Sequence, residues 1–249
     1  MTTKVAIAGA TGRLGRDIVQ LVESEDDFQL VAGLDSHSDL SDLLGADLIV
    51  DVTLPEVSPT IVEYAVANGI HILVGTSGWT AERIAQLRRR MGETPQTGVV
   101  IIPNFSIGAA LAIAFASVAA RFYESIEIVE AHRAHKIDSP SGTAVRTAEL
   151  IAAARAGLGP VAAPHTDQRA RGQNVASIPV HSLRLSGVVA RQQVVFGGAG
   201  EVLTIDHETL EPSAYRAGIL LGLRGAPEAR GVMVGLENLI DLGISHPRA

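Results

Sequence analysis

Residues 127–144 carry the densest chemistry of this 249-residue chain, reading Glu127-Ile128-Val129-Glu130-Ala131-His132-Arg133-Ala134-His135-Lys136-Ile137-Asp138-Ser139-Pro140-Ser141-Gly142-Thr143-Ala144. Two imidazoles, a guanidinium and an ammonium fall within positions 132–136, between an apolar, strand-like run and a helix start. Histidine is suited to giving a proton near neutral pH, as is a lysine perturbed by its surroundings. His132 and Lys136 stand four apart in a loop after a strand, so both can face one pocket. Ser141, Gly142 and Thr143 open the next helix, where hydroxyls and unpaired amides attract an anion. The pattern predicts a proton donor beside a pocket for a small anion. A solvated basic loop with a serine cap would explain any one of these residues, but it explains the set less well.

A second group lies at the start of the chain. Gly9, Ala10, Thr11, Gly12, Arg13, Leu14 and Gly15 follow a short apolar run and open a helix. Glycines there permit a tight turn and close approach of a pyrophosphate to amides at the helix N-terminus. The spacing is G-x-x-G-x-x-G rather than G-x-G-x-x-G, so the loop takes its weight from the strand, helix and acid around it. Arg13 adds a cation near the phosphates. Asp35 follows the second apolar run about twenty residues on, where an acid can accept from the ribose hydroxyls of NAD. That acid favours NADH over NADPH, although Arg13 could accommodate the latter. Three further loops border the same edge: Thr53-Leu54-Pro55, Gly75-Thr76-Ser77-Gly78 and Ile102-Pro103-Asn104-Phe105.

The elements that must hold these groups alternate over the first hundred residues. Strands are expected at residues 5–8, 28–34, 48–52, 70–74 and 99–102. Helices are expected between them, including residues 58–68 and one capped by Thr80. Short apolar strands separated by helices predict a Rossmann-like, doubly wound parallel sheet in residues 1–105. Residues 106–212 change character and predict an α+β domain with a mixed sheet for substrate and oligomerisation. It contains an Ala-rich helix, a strand leading into His132, a helix from Thr143, and a hairpin around Gly197-Gly198-Ala199-Gly200. Residues 157–179 read as a long surface loop. Residues 213–249 read as helix-like segments returning to the first domain.

Bulk properties narrow the partners. The chain is 47% hydrophobic and 19% charged, with a formal net charge of −7. That charge argues against nucleic acid or an anionic membrane as a partner and makes the cationic cluster a local feature. With no cysteine, disulfides, thiolate catalysis and cysteine-based zinc sites are excluded, and no metal site is expected. No apolar run has the length of a membrane span, and the start leaves no room for a signal peptide, so a cytoplasmic protein is expected.

Residues 127–144 satisfy every fixed position of E-[IV]-x-E-x-H-x-x-x-K-x-D-x-P-S-G-T-A, and the chain thereby resembles the 4-hydroxy-tetrahydrodipicolinate reductase (dihydrodipicolinate reductase) family. The loop from Gly9 is similar to that family's G-A-x-G-R-M-G. Gly75-Thr76-Ser77-Gly78-Trp79 resembles its G-T-T-G-F, and Pro103-Asn104-Phe105-Ser106-Ile107-Gly108 its P-N-F-[AS]-x-G. The resemblance implies NADH- or NADPH-dependent reduction of a carboxylated cyclic imine in lysine and diaminopimelate biosynthesis, by a homotetramer. It implies that His132 donates the proton, that Lys136 is a second donor, and that Gly142 and Thr143, with Ser141, hold a substrate carboxylate. The cofactor would lie against Gly9 to Leu14, Asp35, Thr53, Gly75, Thr76, Ser77 and the segment from Ile102 to Phe105. Three positions depart from the family. Arg133 stands where a second histidine is usual, Ala190-Arg191-Gln192-Gln193 where a Gly-x-His is frequent, and Pro212 where an arginine is usual. Arg133 would bind a carboxylate but cannot exchange a proton. The departures leave room for a paralogue reducing another cyclic imine. A nucleotide-sensing regulator is a weaker alternative, because sensing needs no proton donor.

Overall fold

The computed structural model describes residues 2–243. The chain forms two compact units: residues up to Phe105 together with those from Tyr215 onward, and Ser106–Ala214.

In the first unit the expected alternation is present. β1 (Thr3–Ala8), α1 (Arg13–Ser24), β2 (Phe28–Leu34), β3 (Leu48–Asp51), α2 (Ser58–Ala67), β4 (His71–Val74), α3 (Ala81–Met91) and β5 (Gly98–Ile101) follow in order. Thr80 caps α3 by accepting from the Arg83 amide at 3.3 Å. β1, β3, β4 and β5 are almost wholly buried, as strands covered on both faces must be. Their Val, Ile, Leu and Ala side chains form one core with Ile61, Val62 and Ala65 of α2 and Leu87 of α3. With β11 (Gly231–Val234) at one edge, the sheet order β11-β5-β4-β3-β1-β2 reverses direction between β1 and β3, so the loops after those strands flank a switch point.

The C-terminal reading needs correction. A helix does return, α6 (Arg216–Gly225), followed by short helical turns at Ala226–Glu228 and Leu236–Leu239, but between these turns stands a strand that was not expected, β11 (Gly231–Val234). Its four residues pair in parallel with Gly98–Ile101. The run is too short to show a period, and its place is set by the open edge of β5 rather than by local preference.

At the opposite end of the strands from the switch point, His71 binds β4 to β5. Its Nδ1 accepts from the Gly98 amide at 3.0 Å. Burial, aided by the Arg230 charge, pushes this imidazole below its ordinary value of 6.5, against the Ala226 carbonyl and Glu228. A depressed folded value means the stability is present above pH 6.5 and is lost as pH falls through the folded value. His71→Gln, which does not titrate, should flatten the fall of Tm below pH 6.5, with a Tm about 3 °C lower at neutral pH for one lost hydrogen bond. Parallel Tm–pH curves for the two proteins would refute this.

The second unit contains α4 (Ile107–Ala119), β6 (Ser125–His132), α5 (Gly142–Ala154), β7 (Gln173–Val175), β8 (Ile178–Arg184), β9 (Ala190–Gly198) and β10 (Glu201–Thr209). Its five strands run β10-β9-β6-β8-β7, with β6 and β8 parallel and the other pairs antiparallel. The β9–β10 hairpin turns at Ala199-Gly200, as the glycine cluster predicted. The long loop read at residues 157–179 is also corrected. It includes a short helical turn, Arg169–Arg171, the strand β7 and the start of β8. Ala176 and Ser177 make the β7–β8 turn with φ of 50° and 72°. Neither residue type announces a left-handed turn, so the hairpin carried no local signal.

Candidate active site

Every second residue of β6 faces the helices. Ile126 and Ile128 join Val180, Val194 and Phe196 of the neighbouring strands against Ala116 of α4 and Ala144, Ala148 and Ile151 of α5. Toward the C-terminal end of β6 the same face turns polar: Glu130, then His132. The register sets Glu130 beside Ser182 and His132 beside Arg184 of β8. One apolar face thus ends in four polar groups, directly under the start of α5.

Glu130 is fully buried and organises them. Its Oε2 lies 2.5 Å from His132 Nδ1. Arg184 donates to both carboxylate oxygens at 3.0 Å each, and the Ser141 amide donates to Oε1 at 3.3 Å. Burial pushes the Glu130 carboxyl up, but hydrogen bonds from His132, Arg184 and Ser182 outweigh it and hold the group down at about 2. The carboxylate is therefore charged at any working pH. It accepts a hydrogen bond from His132 Nδ1–H and leaves Nε2 as the nitrogen available for chemistry. Sequence reasoning quoted Glu130 only as part of a motif and missed Arg184. The available signal was the two-residue spacing from Glu130 to His132, which puts both on one strand face.

The loop after β6 returns to this network. Lys136 turns back through its amide to the Arg133 carbonyl at 3.0 Å, and its Nζ sits 2.6 Å from Asp138 Oδ1. Burial raises the Asp138 carboxyl, but the Lys136 ammonium more than offsets this and keeps it below its usual range. Arg184 also donates to the Asp138 carbonyl at 2.6 Å, so one guanidinium fixes both the histidine's carboxylate and the lysine's loop. The Arg133 guanidinium, half-buried, makes no hydrogen bond or ion pair among the described residues.

At the start of α5 the three predicted donors divide. Ser141 is buried, its amide held by Glu130 and its hydroxyl capping the helix by accepting from the Ala144 amide at 3.2 Å. Gly142 is exposed, and no atom lies within 4 Å of where a side chain would begin. Thr143 is half-buried in the same first turn. Ser141 is therefore spent on Glu130 and on the helix cap, whereas Gly142 stands open in the same first turn. Of the departures, Arg191 is paired with Asp206 on the opposite face of the sheet from His132, and Pro212 opens the short helical turn Pro212–Tyr215.

In the first unit the glycine loop sits tight against its surroundings. Gly9 has φ +88°, and a Cβ there would meet the Val52 carbonyl at 2.7 Å; a Cβ on Gly15 would meet the Gly9 carbonyl at 2.0 Å. The Leu34 carbonyl takes the amides of Gly9 and Ala10, and Arg16, which the sequence reading missed, braces the loop through the Thr11 carbonyl at 2.9 Å. α1 starts at Arg13 with Gly12 as its N-cap and no side-chain cap. Uncapped amides beside a turn with glycine at both ends fit a pyrophosphate. Asp35 stands after β2, its Oδ1 taken by the His37 amide and the Ser38 hydroxyl, which hold its carboxyl below the usual range. Ser77 is exposed, whereas Thr76, Ile102 and Phe105 are buried, the Phe105 ring packing where a side chain on Gly75 would stand. Any cofactor contact from Ile102 or Phe105 must therefore come from the backbone. Among the described residues no group of three or more histidines and carboxylates could hold a metal ion, and no helix is long and apolar enough to cross a membrane.

A Rossmann-type unit with an uncapped glycine turn, joined in sequence to a unit holding a carboxylate-backed histidine, defines a nicotinamide-dependent oxidoreductase. Comparison with known proteins narrows this. Residues 3–105 match "Dihydrodipicolinate reductase, N-terminus", and residues 108–240 match "Dihydrodipicolinate reductase, C-terminus". The 4-hydroxy-tetrahydrodipicolinate reductase of Clavibacter sepedonicus is 69% identical over 249 residues, covering 100% of this chain and 90% of the relative. That of Streptomyces griseus is 47% identical, covering 96% and 98%. A solved structure, dipicolinate-bound dihydrodipicolinate reductase from Paenisporosarcina sp. TG-14, superposes with a TM-score of 0.78 at 30% identity, covering 96% of this chain and all of that one. The chain belongs to the dihydrodipicolinate reductase family.

Proposed function

We propose that this chain reduces 4-hydroxy-tetrahydrodipicolinate to tetrahydrodipicolinate in lysine and diaminopimelate biosynthesis. The observation that carries the reading is the Glu130–His132 pair set beside an anion-binding helix start. A bound nicotinamide supplies hydride. Hydride addition to a conjugated imine leaves negative charge, and the chain must supply the compensating proton. His132, held through Nδ1 by Glu130, gives that proton from Nε2. Lys136 leaves Asp138 to donate to the substrate. One ring carboxylate lies on the amides and hydroxyl of Gly142 and Thr143, and Arg133 takes a carboxylate with its unoccupied guanidinium. Gly9, Ala10, Thr11, Gly12, Arg13 and Leu14 hold the pyrophosphate, and Asp35 accepts from the adenosine ribose. The segments Thr53, Gly75 to Ser77 and Ile102 to Phe105 hold the nicotinamide end. An acid at Asp35 favours NADH, since a 2′-phosphate there would meet a carboxylate.

The sheet face away from α4 and α5 carries Val129, Leu183, Val195 and Val202, with Leu183 44% and Val202 69% exposed. That face, aliphatic side chains set among paired charges such as Arg191–Asp206 and Arg171–Glu127, supports assembly of the chain as a homotetramer through this sheet.

The test is oxidation of NADH by the purified protein with enzymatically generated 4-hydroxy-tetrahydrodipicolinate. Saturable turnover is expected, and no turnover by folded, NADH-binding protein would reject the reading. In the same assay Arg133→Ala is expected to raise KM for the imine about tenfold or more, as loss of a charge-assisted bond predicts, with kcat little changed. Arg133→His should retain turnover. An unchanged KM in Arg133→Ala would remove Arg133 from the carboxylate site.

A further inference from the structure

Asp51 ends β3 at the switch-point edge and is fully buried, yet the groups that bond it are all neutral. The Thr53 amide and hydroxyl reach its Oδ1 at 3.0 and 2.6 Å, and the Thr76 hydroxyl reaches it at 3.0 Å. The Ser58 hydroxyl makes a short bond to Oδ2. Four donors converge on one carboxyl, whose oxygens accept from all of them. Each hydroxyl has a single proton, so those of Thr53, Thr76 and Ser58 all point inward.

Their lone pairs then decide what the surface offers. Ser58 accepts from Trp79 Nε1 at 2.9 Å, and Thr76 accepts from the Thr53 amide at 2.8 Å. Thr53 is a half-buried residue, and its Oγ1, its proton given to Asp51, is left able only to accept. The Thr53 side chain lies next to the glycine turn through its methyl group: a side chain on Gly9 would meet Thr53 Cγ2 at 3.3 Å. The strand order β2-β1-β3-β4 aligns Asp35, the glycine turn, Thr53 and Thr76 along one edge. A phosphate has no proton for Thr53. A ribose hydroxyl or a carboxamide N–H does.

We propose that Asp51 is a positioning residue that locks Thr53 as an acceptor for a donor on the nicotinamide riboside half of the cofactor, so that this half lies over β3. The inference rests on the dinucleotide reading above. It is tested by calorimetry without substrate, using NADH and ADP, since ADP lacks that half.

Thr53→Val is expected to weaken NADH about tenfold, the scale of one hydrogen bond, with ADP binding changed less than about twofold. Thr53→Ser should restore NADH binding. Asp51→Ala should weaken NADH at least as much as Thr53→Val. Asp51→Asn should remain within about threefold of wild type, because its amide oxygen can take the crowded Oδ1 position and its amide can face Ser58. NADH binding by Thr53→Val equal to wild type overturns the proposal, as does an equal loss of ADP and NADH in either Thr53→Val or Asp51→Ala. Should Asp51→Ala not fold, the Thr53 pair decides alone. A wild-type chain that binds neither ligand overturns the dinucleotide reading and this inference together.

Discussion

His132→Ala is expected to lower kcat by about 10²–10⁴-fold, the range for removing a positioned general acid. NADH binding should stay within about twofold, because the residues that hold the cofactor belong to separate elements without a shared partner. The size of the expected loss follows from how fully the structure prepares this ring. Glu130 fixes Nδ1 at 2.5 Å, so the imidazole does not have to search for its orientation. His135 stands three residues away but is exposed, and no carboxylate bonds it among the described residues, so it offers no substitute. Lys136 is tied to Asp138 and would have to break that pair to serve as the acid. Steady-state kinetics with saturating NADH decides the matter. A fall below about threefold in kcat would take the proton-donor role from His132.

The first unit was legible because most of its strands are short apolar runs and its helices carry a clear apolar face or, at Thr80 of α3, a side-chain cap. β11 was not, because four residues such as Gly231-Val232-Met233-Val234 acquire a strand's identity only from the free edge of β5. In the second unit the β9–β10 hairpin announced itself with glycines. The β7–β8 hairpin, turning on Ala176 and Ser177, did not. The same contrast holds at the site. His132, Lys136 and the α5 start are close in sequence, so their types and spacing exposed them. Arg184 is 54 residues from Glu130, and only the parallel pairing of β6 with β8 brings it there. Asp51 was passed over for a related reason: an acid at a strand end looks like a cap until Ser58 and Thr76, from two other segments, are seen to converge on it.

Glu130→Gln should reduce kcat/KM for the imine by about 10²-fold or more, toward the roughly 10⁴-fold seen where the carboxylate that orients a catalytic histidine is lost. NADH binding should be unaffected. The charge matters more than the shape here. A glutamine side chain at this position can still accept one bond from Arg184 or His132, but not the full set, and its amide points a donor at a group that must itself donate. The substitution also leaves Arg184 without a countercharge, and its side chain is only 18% exposed. Breaking one side of such a pair costs about 3 kcal/mol. Acid unfolding separates this term from general damage. The folded carboxyl titrates near 2 against an ordinary 4.5, so its stabilisation is complete above pH 4.5 and is lost as pH falls toward 2. Wild type should therefore lose stability over that interval more steeply than Glu130→Gln, and the two curves should converge at the acid end. A histidine that needed no fixed orientation would give a different pair of results: lower stability in Glu130→Gln at neutral pH, and kcat/KM per folded molecule equal to wild type. That outcome would reduce Glu130 to a packing role and leave His132 to find its geometry from the substrate alone.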